Sequence, residues 1–170
     1  MDLVFKQMNT EKDLLESTNV IRESFATVAE QFGFTREIAP TNPAFIESRH
    51  LQKMSEKGIA TFGAFCDKVQ IGFVAIEKKQ DKSFCMERLA VLPSYRHQGF
   101  GQQIVEYVEK YVADQGGEVI LIGIIDEHEV LKAWYRKLGF TECKSERFAH
   151  LPFTVCYMEK VIMDHRVKGS

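Results

Sequence analysis

The sequence predicts one domain of α/β (α+β) class, in which about seven strands form a central sheet and about four helices flank it. Three observations lead to this class. A chain of 170 residues fits one domain of ordinary size. A hydrophobic share of 45% with 27% charged residues is typical of a globular protein. The spacing of the apolar residues also changes repeatedly between the helical period and strand alternation.

These changes of period set the expected limits of the elements. Strands are predicted at residues 3–8, 59–66, 69–77, 85–92, 119–125, 140–147 and 153–161. Helices are predicted at residues 10–32, 42–58, 99–116 and 130–138. No repeat, low-complexity tract or internal boundary interrupts the series, which favours a single domain.

Helix-capping residues support the first helix. Thr10 followed by Asp13 is typical of a helix N-terminus, because the two side chains can bond each other's backbone N–H groups. Apolar residues at helical spacing then continue to about Ala29 or Phe32.

Turn residues punctuate the next part of the chain. Asn42-Pro43 is expected to begin the second helix and Gly58 to end it. Asp67-Lys68 separates two alternating segments and predicts a hairpin, and Asp81-Lys82 marks the next turn. Pro93 stops the strand that follows.

Glycines delimit the later elements. Gly99 and Gly101 introduce a long amphipathic helix that Gly116-Gly117 ends. Residues 119–125 form a continuous apolar run, which is expected for a strand covered on both faces. Gly139 closes a short fourth helix before two final strands.

Composition excludes several classes of partner. With 22 Lys and Arg against 24 Asp and Glu, the net charge of -2 provides no global positive field for nucleic acid. The sequence contains no run of about 18 apolar residues, so we expect no membrane partner. The cysteines lack Cys-x-x-Cys spacing and the first residues lack a signal-peptide pattern, so we expect a cytoplasmic protein with reduced thiols and no metal site.

The residues from Leu89 to Gln103 carry the most specific pattern. A strand enters a Gly-bearing, basic loop that opens an amphipathic helix, and this arrangement favours binding of a phosphate group. Gln102-Gln103 excludes a Walker loop, and Ile104 stands where a dinucleotide fingerprint needs a small residue. From the glycines alone, an ordinary strand-to-helix turn remains an equal alternative.

Two motifs in this sequence resemble those of the GNAT superfamily of acetyl-CoA-dependent N-acetyltransferases. The first is Leu89-Ala90-Val91-Leu92-Pro93-Ser94-Tyr95 followed by Arg96-His97-Gln98-Gly99-Phe100-Gly101. The second is Ala133-Trp134-Tyr135-Arg136-Lys137-Leu138-Gly139-Phe140. The resemblance implies a mixed, mostly antiparallel, twisted sheet with splayed fourth and fifth strands. It also implies one N-acetyltransferase domain over residues 1–163, followed by a tail at 164–170.

The resemblance implies acetyl-CoA as co-substrate, with no metal. Backbone groups of Leu89, Ala90 and Val91 would pair with the pantetheine arm, and an N–H group near Val91 would polarise the acetyl carbonyl. Arg96 and His97 would add positive charge near the diphosphate. The backbone N–H groups implied to hold the diphosphate are those of His97, Gln98, Gly99, Phe100, Gly101 and Gln102.

Two residues are the catalytic candidates. Tyr135 is predicted to be the general acid that protonates the leaving thiolate, with simple aromatic packing as the alternative. Glu87 is predicted to accept the amine proton, with an exposed carboxylate paired to a neighbouring Lys as an equal alternative. Some family members carry a glutamate on the fifth strand, where this chain has Gly123.

Two histidines are weaker candidates. His128 is predicted to contact the cofactor or accept a proton, while a solvated histidine at a helix start is the alternative. His150 precedes the last strand and is a candidate for the acceptor pocket.

The acceptor is predicted to be a small-molecule amine or a peptide N-terminus, which attacks the acetyl thioester directly in a ternary complex. A catalytically weak acyl-CoA sensor, a longer acyl group and a homodimer remain open alternatives.

Overall fold

The structure is a computed structural model that describes residues 1–162. Within them the strands are β1 (Val4–Gln7), β2 (Ala60–Cys66), β3 (Val69–Lys78), β4 (Ser83–Val91), β5 (Val119–Ile125), β6 (Thr141–Arg147) and β7 (Thr154–Val161). The α-helices are α1 (Glu11–Phe32), α2 (Ser48–Glu56), α3 (Phe100–Asp114) and α4 (Glu129–Lys137). The predicted tail at 164–170 and the predicted domain limit at 163 lie outside the described residues.

The strands form a mixed sheet with the hydrogen-bonded order β1-β2-β3-β4-β5-β7-β6. The pairs β1–β2, β2–β3, β5–β7 and β6–β7 are antiparallel. The parallel β4–β5 ladder joins Ser83 to Val119, Phe84 to Ile120 and Cys85 to Leu121. The predicted mixed, mostly antiparallel sheet is confirmed, and the β4–β5 ladder is short, with three pairs among the described residues.

The chain divides into two compact units. Unit 1 contains residues Met1–Glu77 and Glu87–Val105, and unit 2 contains Lys78–Met86 together with the described residues from Glu106 onward. Both β4 and α3 contribute residues to each unit. The predicted single domain stays a prediction.

Unit 1 begins with the capping box that the sequence predicts. The Thr10 hydroxyl oxygen accepts a hydrogen bond from the Asp13 N–H at 3.1 Å, and the Asp13 carboxylate accepts from the N–H groups of Thr10 and Asn9, both at 3.2 Å. The buried side chains of the unit's core come from its helices and strands, and they include Met8, Leu14, Ile21, Leu51, Met54, Phe73 and Ala90. The core therefore holds α1 and α2 against the strands of this unit.

The second helix begins later than predicted. Asn42-Pro43 starts a single 3-10 turn, Pro43–Phe45, in which the Asn42 side chain accepts from the Ala44 N–H at 2.9 Å. Ile46 is extended, with φ -63° and ψ 146°, so the turn cannot continue as a helix. Glu47, which is also extended, then caps α2. The cap residues were identified correctly, but they serve a separate turn.

Unit 2 shows a second difference from the sequence prediction. The strand β5 has the predicted limits, yet it is buried on one face only, through Ile120, Ile122 and Ile124. On the other face Gly123 is exposed and its neighbours are half-buried. Coverage on both faces was therefore a wrong expectation, because this apolar run follows the alternation of a half-covered strand.

The end of α3 positions the start of β5. Gly116, at φ +81°, donates its N–H to Ala113 O at 3.0 Å, and Gly117 donates to Val112 O at 2.8 Å. These two bonds form a Schellman motif, which terminates the helix and reverses the chain.

The four cysteines are free thiols, Cys66 and Cys156 buried, Cys85 half-buried and Cys143 exposed. Among residues 1–162 no helix is long and apolar enough to cross a bilayer.

Candidate functional site

The loop between β4 and α3 has the geometry of an anion site. His97 and Gly99 both adopt left-handed backbone conformations, with φ values of +62° and +81°. The first hydrogen bond of α3 runs from the Gln103 N–H to Gly99 O at 3.2 Å. The N–H groups of Phe100, Gly101 and Gln102 therefore precede the helical ladder, and they lie at the positive end of the helix dipole.

The surface of this loop fits a negatively charged ligand. His97, Gln98, Gly99 and Gln102 are exposed, and the first turn of α3 carries no acidic residue. An anion at this helix start would meet backbone N–H donors and no competing carboxylate from the first turn. Phe100 is buried and packs 6.3 Å from the Tyr95 ring, centroid to centroid, which anchors the start of the helix.

Arg96 is directed toward α1. Its guanidinium donates to Ser24 O at 2.6 Å, to Thr27 Oγ1 at 2.9 Å and to Val91 O at 3.2 Å. Burial lowers the pKa of Arg96 from its ordinary value, although the group stays charged. Three of its five donors are thus occupied within unit 1. The prediction that Arg96 binds the cofactor is untested, and the structure adds an anchoring role for the loop.

The C-terminal half of β4 approaches β3 closely. A Cβ atom on Gly72 would lie 2.8 Å from Ala90 O, so glycine is required there. The Leu92 N–H donates to Ile71 O at 2.8 Å, and the Arg96 guanidinium donates to the carbonyl oxygen of Val91. Ala90 is buried, while Leu89 and Val91 are half-buried. Of the predicted pantetheine-binding groups, the Val91 carbonyl already has a protein donor.

Glu87 lies beside an irregularity of β4. Arg88 adopts φ +52°, which a non-glycine residue rarely does inside a strand. The Arg88 guanidinium donates to Glu87 Oε2 at 3.2 Å, and both side chains are about 30% exposed. The ion-paired alternative for Glu87 is thus partly realised, with Arg88 in place of a lysine. Its role as base remains a prediction.

Tyr135 lies on α4 in unit 2 and is buried. Its ring makes edge contacts with Trp134 at 4.9 Å and with Phe140 at 5.4 Å between centroids. Burial raises the pKa of Tyr135 well above the ordinary value of a phenol. The hydroxyl therefore keeps its proton at neutral pH.

His128 is the N-cap of α4. Its Nδ1 accepts a hydrogen bond from the Leu131 N–H at 3.3 Å, and burial lowers its pKa. The neutral imidazole thus performs the task that Ser, Thr, Asp or Asn has at other helix starts. The helix-start position of the alternative is thus correct, but the imidazole is half-buried and not solvated. Contact with the cofactor remains untested.

The other two positions of interest are exposed. His150 lies in the loop before β7, with its ring 5.8 Å from the Phe148 ring. A Cβ atom on Gly123 would meet Tyr157 and Val155 at 3.5 Å, an ordinary contact distance, so β5 has room for a side chain there.

Sequence reasoning missed the charged cluster around Lys132. This lysine lies one helical turn before Tyr135 and is buried, with Asp126 and Glu142 close to its ammonium group. A lysine on the apolar face of a short helix was the available signal. Its partners were not recognisable, because they come from other elements.

The sequence model of the acetyltransferase (GNAT) domain matches residues 57–142, which include both motifs. The chain belongs to the GNAT acetyltransferase family. This GNAT protein is accordingly an acyltransferase, and the resemblance stated from its motifs is confirmed.

Known proteins similar to this GNAT enzyme agree with that assignment. An uncharacterized N-acetyltransferase in the pepI 3′ region of Lactobacillus delbrueckii subsp. lactis is 26% identical over 152 residues, covering 82% of this chain and 85% of the relative. The ribosomal-protein-S18-alanine N-acetyltransferase from Escherichia coli has a TM-score of 0.74 at 15% identity, covering 95% of each chain. The PaiA N-acetyltransferase from Thermoplasma acidophilum, solved with coenzyme A, has a TM-score of 0.69 at 21% identity, covering 95% of this chain and 99% of that one. The two solved structures show that the fold is shared.

Proposed function

We propose that this GNAT enzyme transfers the acetyl group of acetyl-CoA to a primary amine by direct attack in a ternary complex. The observation that carries the proposal is the loop from His97 to Gln102, where left-handed residues and the start of α3 present backbone donors to an anion. The diphosphate of coenzyme A is the anion that this family uses. The residues present fit that group, since the loop is exposed and its first helical turn carries no acid.

The chain's own groups have separate tasks in this proposal. The backbone of Leu89, Ala90 and Val91 orients the pantetheine arm, and an N–H group near Val91 stabilises the developing oxyanion. Glu87 accepts the proton of the attacking amine. As the N–C bond forms and the C–S bond breaks, the phenol of Tyr135 gives its proton to the sulfur.

The acceptor in this proposal is a small-molecule amine or a peptide N-terminus. The Escherichia coli relative is named for a ribosomal-protein alanine, which is an acceptor of the second kind. We place the reaction in the cytoplasm, because free cysteines fit a reducing compartment. We expect no nucleic-acid partner, because a net charge of -2 provides no attraction to a phosphate backbone. A homodimer stays an untested alternative.

Kinetics with an amine library and a thiol reagent for released coenzyme A test the proposal. Tyr135→Phe is expected to lower kcat by about 100-fold or more, since general acid catalysis contributes on the order of 10²–10⁴. The KM for acetyl-CoA is expected to stay within about twofold of wild type, because the phenol acts only as charge develops on sulfur. Tyr157→Phe, on β7, is the matched control and should leave kcat unchanged.

The base is tested separately. Glu87→Gln should lower kcat/KM at neutral pH and remove the acidic limb of the pH profile, because an amide accepts no proton. Glu118→Gln, an exposed glutamate with 62% of its side chain accessible, is the control. An unchanged pH profile in Glu87→Gln would remove this residue from the mechanism.

Two alternatives give distinct results in the same assays. A sensor would bind acetyl-CoA and release no coenzyme A with any amine. An enzyme for longer acyl groups would show a higher kcat/KM with a longer acyl-CoA than with acetyl-CoA.

A further inference from the structure

Lys132 is a buried cation on the helix that carries Tyr135. Only 8% of its side chain is exposed, although a lysine is seldom buried. Positions 132 and 135 lie one turn apart, so they share a face of α4. These two are the buried residues of the helix. The buried face of α4 therefore combines a charge with the proposed acid.

Carboxylates from three places surround the ammonium group. Asp126, which follows β5, places Oδ1 2.5 Å from Lys132 Nζ. Glu142 of β6 lies at 3.5 Å and Glu129 of α4 at 3.9 Å. Glu142 also accepts from Arg136 at 2.7 Å. The ion pairs thus connect α4 with both neighbouring strands of unit 2.

The cluster holds its charges at neutral pH. The hydrogen bond with Asp126 raises the pKa of Lys132 against the effect of burial. The same bond lowers the pKa of Asp126. Because both groups stay ionised, Lys132 is neither an acid nor a base for the reaction. Its influence on acetyl transfer has to come from geometry.

The position of the Tyr135 hydroxyl depends on the position of α4. The ring is confined between Trp134 and Phe140, so it moves with the helix. A helix of nine residues has little stability of its own, and five side chains of α4, at 129, 130, 133, 136 and 137, are exposed. The ion pairs of Lys132, together with the Arg136–Glu142 pair, connect this helix to Asp126 after β5 and to β6.

We propose that Lys132 is a positioning residue for acetyl transfer: held by Asp126 and Glu142, it fixes α4 so that the Tyr135 hydroxyl reaches the leaving sulfur. This inference rests on the proposed function, in which Tyr135 is the acid. Lys132 itself touches neither substrate in this proposal.

The first test compares Lys132→Met with Lys132→Arg and with Lys137→Met. Lys132→Met removes the charge at similar size, and we expect kcat to fall by about 10-fold to 100-fold, since small misplacements cost that much. The KM for acetyl-CoA should stay within about twofold of wild type. Lys132→Arg keeps the charge and should recover part of kcat. Lys137 is exposed on the same helix, so Lys137→Met should behave as wild type.

The second test is a double-mutant cycle with Tyr135→Phe. If Lys132 acts through the phenol, Lys132→Met should change kcat by less than about twofold in the Tyr135→Phe background, because nothing remains to be positioned. A role in stability alone would lower kcat by the same factor in both backgrounds and would overturn the inference. A wild-type kcat in Lys132→Met would also overturn it.

The two tests distinguish a failure of the acid role of Tyr135 from a failure of the positioning role of Lys132. If Tyr135→Phe has wild-type kcat, the acid role fails and this inference fails with it. If Tyr135→Phe lowers kcat, but the losses of kcat in Lys132→Met and Tyr135→Phe multiply in the double variant, the proposed function stands and only the role of Lys132 is lost. Should Lys132→Met not fold, Asp126→Asn enters the same cycle, with the same expected loss of kcat in the wild-type background alone.

Discussion

Gly99→Ala perturbs the proposed diphosphate loop through one backbone angle. Gly99 adopts φ +81°, and a Cβ atom there would meet nothing within 4 Å. The substitution therefore creates no clash, and its effect comes from the left-handed conformation that an L-residue disfavours. The variant isolates the conformation of the loop from its contacts.

The size of the effect follows from that conformational cost. A left-handed residue other than glycine costs about 1–2 kcal/mol. If the loop relaxes in the free protein and must return to its shape on binding, the whole cost appears in the affinity. Since about 1.4 kcal/mol is tenfold in a dissociation constant, the Kd for acetyl-CoA should rise by about 5-fold to 30-fold.

Gly58→Ala is a matched control for this measurement. Gly58 adopts φ +82°, also has open space around its Cβ position, and lies in unit 1 after α2. Gly58→Ala should keep the acetyl-CoA affinity of wild type in titration calorimetry, whereas Gly99→Ala should weaken acetyl-CoA binding. A Gly99→Ala protein that binds within about twofold of wild type would refute the assignment of this loop. Equal losses of affinity in the two variants would refute it as well.

Two further predictions concern stability. Burial alone would raise the pKa of Asp13, but hydrogen bonds from the Thr10 backbone and from Lys6 outweigh it and lower the pKa to about 2 from 3.8. The lowered pKa of Asp13 adds about 2 kcal/mol to the free energy of unfolding. This contribution is complete above pH 3.8 and is lost as the pH falls through about 2. Asp13→Asn should therefore be less stable than wild type in urea at pH 7. The difference in the free energy of unfolding between the two proteins should become smaller below about pH 4. In Gly117→Ala the new Cβ would lie 2.6 Å from the Phe84 ring, so we expect a loss of about 1–3 kcal/mol, and unchanged urea unfolding would contradict this packing.

Local chemistry explains which parts of the fold were predictable from the sequence. The Thr10–Asp13 cap, the Asp67-Lys68 turn and the end of α3 at Gly116 each depend on a few adjacent residues, and the structure contains all three. The start of α2 was misjudged, because Asn42 caps one 3-10 turn and the chain then becomes extended. Nothing near Asn42 in the sequence indicates where that turn stops.

In the candidate site, too, only the features that depend on adjacent residues were predictable from the sequence. The loop after β4 was predictable, since Gly99 and the helix start are contiguous in the sequence. The side chain of Arg96 was expected beside the diphosphate, yet its acceptors include Ser24 of α1, 72 positions away. Likewise, the partners of Lys132 belong to β6 and to the end of β5. Contacts between distant segments determine these roles, and periodicity does not reveal them.

In the proposed reaction this enzyme acetylates an amine with acetyl-CoA. The most direct test of this reaction is mass spectrometry of a library of small amines and peptides incubated with the protein and acetyl-CoA labelled in the acetyl group. We expect at least one amine to gain the labelled acetyl group on nitrogen, in equal amount to the coenzyme A released. Coenzyme A released only together with free labelled acetate, or no labelled amine across the library, would contradict it.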